Sequence, residues 1–187
     1  MRRFHQPNGL VLGYDETAFP REVVQRVRDA WKALLPARTM QFLRADAHAP
    51  ASVLLSLGAF RDVTELRSLL DLLRSEAARP AREALCQLFR ACSKPHPEFQ
   101  LRWDVGSVIL RARFVPSRPS EVGTALESLP DLARSLEDAG LPSGTTVVVA
   151  SYRGGWELEA AHGFDPAAGR VRVYRYREGR WTAHGGR

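Results

Sequence analysis

Lysine is nearly missing from this chain: two lysines stand beside 25 arginines. The net charge of +6 is therefore carried by guanidinium groups, which favour acidic partners and flat bidentate contacts. Arginine richness of this kind also follows from the base composition of a gene, so charge alone does not select nucleic acid as the partner.

Cysteine is just as scarce. Cys86 and Cys92 lie six residues apart in an expected helix, well round its circumference from one another, so they do not pair within it. Two reduced thiols in or near the core fit a reducing, cytoplasmic setting. No apolar run approaches the roughly 18 residues of a spanning helix. The opening MRRFHQPNGLVLGY is broken at Pro7 and Asn8-Gly9 before a signal-peptide core forms, and no membrane partner is expected. Recognised catalytic motifs are missing as well: there is no GxGxxG, P-loop, GxSxG, HExxH or CxxC. The histidines, His5, His48, His96, His162 and His184, show no ligand spacing, and nothing in the sequence calls for a cofactor.

What is present is enough for a core. At 187 residues and 44% hydrophobic, the chain can form one compact domain spanning 1–187 without disulfides or metals. A subdomain junction, if there is one, falls at the kink Pro116–Pro119. A hairpin Arg3–Gly13 is expected about Asn8-Gly9. A helix follows over Pro20–Leu35, with Val23, Val27, Ala30, Trp31 and Leu34 inward and a Glu22/Arg26 pair outside. Strands are expected at Thr39–Arg44 and Ser52–Leu57. Asp62 then opens a helix with Glu65 in the capping-box position and a stripe of Leu66, Leu69, Leu70, Leu73 and Ala77. Pro80 restarts helical structure to Ser93.

The centre is the clearest folding signal. A two-residue turn at Gly106-Ser107 opposes Val105 with Val108, Trp103 with Leu110, Leu101 with Ala112 and Phe99 with Phe114. Arg102 then faces Arg111, an unfavourable pair unless acids or water answer it. A broken helix over 120–139, with Ser120 and Ser128 as caps and Gly140 as terminator, carries a net charge of −4. From Thr145 an antiparallel meander is expected, turning at Gly154-Gly155 and Glu178-Gly179. The fold class is α+β: a mixed or mainly antiparallel sheet with a C-terminal β-meander, packed by an N-terminal helix, a helical hairpin and a broken central helix.

The functional expectation is a non-catalytic protein-binding protein, such as an immunity protein that neutralises a toxin, an inhibitor, or a secretion-type chaperone. Its partner would be another protein, for example a toxin or secreted effector. The candidate contact residues are Arg102, Arg111, Arg113, Arg172, Tyr174, Arg175, Tyr176, Arg177, Arg180 and Trp181, with acidic Glu127, Asp131, Glu137 and Asp138. Two alternatives stand beside it. The basic and aromatic strands could bind nucleic acid, arginines on phosphates and tyrosines on bases. Glu157 and Glu159, two apart on one strand face, could hold a metal with His162 for hydrolysis. The segment RVRVYRYR poses the deciding question: a bulge within it would carry Tyr174 and Tyr176 to the core side, whereas exposed tyrosines would favour recognition of bases.

Overall fold

A computed structural model describes residues 9–42, 50–165 and 169–184. The strands β1 (Leu10–Asp15), β2 (Ala37–Phe42), β3 (Ser52–Phe60), β4 (Glu98–Val105), β5 (Val108–Phe114), β6 (Thr145–Tyr152), β7 (Trp156–Asp165), β8 (Arg170–Arg177) and β9 (Arg180–His184) form one mixed sheet. Their spatial order is β2-β1-β3-β4-β5-β6-β7-β8-β9. Each parallel pair is joined by helices: α1 (Arg21–Lys32) between β1 and β2, α2 (Val63–Arg74) and α3 (Arg79–Arg90) between β3 and β4, and α4 (Pro119–Glu127) and α5 (Leu129–Asp138) between β5 and β6. Antiparallel hairpins make the links β4-β5, β6-β7, β7-β8 and β8-β9, and β1 pairs antiparallel with β3. The α+β expectation is met, and the mixed sheet is bounded by a C-terminal antiparallel meander.

The helices touch one another in series, α1 on α3, α3 on α4 and α2 on α5, so all lie on the same side of the sheet. That placement fixes relative handedness. The steps β1 to β2 and β3 to β4 go opposite ways across the sheet on strands of opposite direction, which gives them the same hand. The β5 to β6 step goes the way of β3 to β4 on strands directed like β1. Its hand is therefore opposite, and at least one of the three crossovers departs from the right-handed rule.

The core is the layer between helices and sheet. Val24, Val27 and Trp31 of α1, Leu66, Leu70 and Leu73 of α2, and Leu85 and Leu88 of α3 meet Leu12, Tyr14, Leu55, Trp103 and Leu110 from the strands. Burying an indole removes about 200 Å² from water, a gross gain of about 5 kcal/mol. The indole N–H groups of Trp31 and Trp103 are buried without an acceptor, which returns about 1–3 kcal/mol of that at each site. The central hairpin has the register that its alternation implies, Phe99 opposite Phe114 through Val105 opposite Val108. Gly106, at φ +57, supplies the left-handed residue that this turn requires.

Several local expectations are corrected. Both edges of β1 are occupied, by β2 and β3, so its residues pair there and not in an N-terminal hairpin; residues 3–8 lie outside the described ones. Pro20 caps α1 from an extended conformation, Val24 takes the buried place expected of Val23, and Arg26 reaches the Glu22 carbonyl and not its carboxylate. The second strand comes earlier, at Ala37–Phe42. Asp62 accepts from the Glu65 amide at 3.0 Å, but Glu65 returns its bond to Arg61, one residue before the cap. A 3₁₀ turn over Glu76–Ala78 buries Ala78 in place of Ala77. Ser120 lies inside α4, whose N-cap is Arg118; Ser128 does hold the N-cap position of α5, but its hydroxyl donates back to the Thr124 and Ala125 carbonyls and not to that helix.

Candidate binding surface

With helices on one side only, alternate strand residues divide between a core face and an open face. Cross-strand registers run in rows over the open side. One row is Arg102, Arg111, Val149, Ala160, Arg175 and Thr182; the next is Asp104, Ile109, Val147, His162, Val173 and His184. Arg177 and Arg180 stand opposite one another at the hairpin end. The open face is therefore a mixed surface of arginines and aliphatic side chains.

The candidate arginines have different fates. Arg102 and Arg111 are directly opposed, as expected. Arg102 leans to Asp104 on its own strand at 3.7 Å, and Arg113 reaches Glu159 at 3.4 Å. Arg172 belongs to the other face and pairs with Asp165, a contact that, after a hydrogen bond to Tyr174, holds its guanidinium above the ordinary range. No acid among the described residues pairs with Arg111, Arg175, Arg177 or Arg180. Like charges left opposite one another cost stability.

Glu157 and Glu159 do not form a metal pair. Val149 pairs with Ala160 and Ala150 with Leu158, which leaves Glu159 as the extra residue of a β-bulge. Its carboxylate accepts from the Ser151 hydroxyl at 2.7 Å and lies 3.4 and 3.8 Å from Arg113 and Arg153. His162 sits across from Val147, beyond the bulge. Among the described residues no cluster of three His, Cys, Asp or Glu is placed to hold a metal ion. Alternation alone could not reveal a bulge, because the extra residue changes parity without changing composition.

That same bulge answers the question posed by RVRVYRYR. β8 runs without irregularity against β7 and β9, so no bulge lies within it. The change of parity occurs in β7, where Ala161 reaches the core face and brings Tyr174, its partner, with it. Tyr174, Tyr176 and Trp181 are half-buried against the edge of the core, with Tyr176 and Trp181 rings 4.8 Å apart. Part of each ring is taken up by protein contacts, which narrows the stacking platform that base recognition requires.

The acidic residues lie with the helices, away from the basic strands. Glu127 pairs with Arg82 at 3.0 Å, Asp131 with Arg134 at 3.1 Å, and Glu137 with Arg67. Asp138 is exposed. Helical arginines, and not the basic strands, answer this acidic segment.

One site escaped sequence reading. Asp15, at the end of β1, is wholly buried. Its Oδ1 accepts from the Thr17 amide at 3.0 Å and hydroxyl at 2.6 Å, and Lys94 stands 3.6 Å from Oδ2. Burial pushes this carboxyl up, but the Thr17 hydrogen bonds and the Lys94 charge together bring it below 3.8. An open cleft of about 520 Å³ adjoins it, lined among others by Tyr14, Thr17, Arg21, Gln41 and Ser93. The only sequence signal was an Asp-x-Thr step leaving a strand, a common turn pattern. Cys86 and Cys92 are free, and burial raises both thiols above the ordinary range, which leaves them poor nucleophiles. No described helix is long and apolar enough to cross a membrane. Comparison of the chain with family models, curated proteins and solved structures returns no match.

Proposed function

We propose that this chain is a non-catalytic protein-binding protein, in the manner of a toxin-neutralising immunity protein, an inhibitor or a secretion-type chaperone. The observation that carries the reading is the state of the C-terminal strands. β8 and β9 lie outward of β7, the strand on which α5 chiefly packs, and present Arg175, Arg177 and Arg180 on a face where no described acid answers them. A paired sheet fixes the backbone from which these arginines project, so the ordering cost of binding falls on the side chains alone. The engaged state of Glu159 and the high thiols of Cys86 and Cys92 weigh against hydrolysis and covalent catalysis. The packed tyrosines weigh against base recognition. Two reduced cysteines favour a cytoplasmic setting.

Isolation from the native cell at low salt, followed by mass spectrometry and nucleic-acid staining, tests the reading. The expected result is a stoichiometric protein partner. Repeated recovery of the chain alone, or with nucleic acid only, would overturn it.

A further inference from the structure

Resting on that reading, we propose that the partner seats an acidic, amphipathic helix in the valley between β5 and β8 on the open face of the sheet. Arg111 stands on one wall, and Arg175 with Arg177 on the other. Val149 and Ala160 form the floor between them, continued in the next row by Val147 and His162, with Val173 on the β8 side. Walls three strands apart are separated by about 14 Å. An extended segment leaves one wall untouched at that width, whereas a helix with its side chains, about 10–12 Å across, reaches both.

The floor sets the apolar part of the match. Ala160 is a small residue between longer neighbours, and Val147 and Val149 are only half-buried, so an aliphatic ridge on the incoming helix gains cover there. The walls set the charge. Glu157 and Glu159 are the acids of these strands on this side. Glu159 is held by Ser151, Arg113 and Arg153, and Glu157 lies toward the β6-β7 turn, opposite Ser151. The arginines without acidic partners thus line the central stretch, where carboxylates flanking an apolar ridge would complete them.

The test uses the full chain and a fluorescein-labelled synthetic helix with leucines on one stripe and glutamates on both flanks. Controls are an extended polyglutamate and a single-stranded oligonucleotide of equal charge. Anisotropy at low salt should show the helix binding tightest, and R111E/R175E should weaken it about tenfold. R111Q/R175Q removes the charges without adding acids, should give a smaller loss, and serves if the glutamate variant does not fold. R79E, in the helical layer where Arg79 pairs with Glu76, should bind as the parent does. Equal binding by the parent and a folded double variant would overturn the footprint, as would an oligonucleotide that binds tighter through the same arginines. A native partner that grips R111E/R175E at full strength would overturn the footprint and leave protein binding standing. A native preparation with no partner would overturn protein binding itself.

Discussion

Arg82 shows how much a single side chain can organise. It is 6% exposed, donates to the Leu73 and Ser75 carbonyls at 2.5 and 2.8 Å, and pairs with Glu127. One guanidinium thus closes the C-terminal end of α2 and ties α3 to α4. R82M should cost about 2–4 kcal/mol, read from urea unfolding, because two buried carbonyls lose their donor while the exposed half of the ion pair contributes little. Asp15 predicts a pH dependence. Its folded value lies below the ordinary 3.8, so its contribution is complete above that value and is lost as pH falls through the depressed folded one. D15N should therefore be less stable than the parent near neutral pH, and the two unfolding midpoints should converge in strong acid. A gap that stays constant over the titration would show that the carboxylate's charge is not what the site uses.

The terminal hairpin predicts differently from the rest of the sheet. Its covered side is the aromatic group Tyr174, Tyr176 and Trp181, without a helix over it. W181A should remove about 1–1.5 kcal/mol of aromatic pairing and speed amide exchange in β8 and β9, leaving β3–β5 protected; uniform loss over the sheet would show that the hairpin is part of the central cooperative unit. Elements like β4 and β5 were legible in the sequence because their strict alternation and two-residue turn admit a single register. Pairing partners of β1 were not, since a short apolar strand carries no mark of its neighbours. The functional surface was half legible for a related reason. Parity assigned Arg111, Arg113, Arg175 and Arg177 to strand faces, but one unpaired residue at Glu159 decides which later residues reach the core. Ion pairs between helices, such as Arg82 with Glu127, join positions 45 residues apart and leave no local pattern.

At the scale of the whole molecule, the helices cover one side of the sheet, and Arg111, Arg175, Arg177 and Arg180 stand without acidic partners among the described residues on the other. Apart from Asp138, the acids of α4 and α5 are paired with arginines of the helical layer and its margin. The crossover between β5 and β6 has a consequence for assembly. Its hand is opposite to that of the other two connections, so a strand twist of one hand cannot favour all three crossovers alike. The join between the β4-β5 hairpin and the meander is thus made by the one crossover whose hand differs from the rest. The valley proposed to receive a partner spans that join, with Arg111 on one side and Arg175 on the other, and so exists only where β5 and β6 are paired.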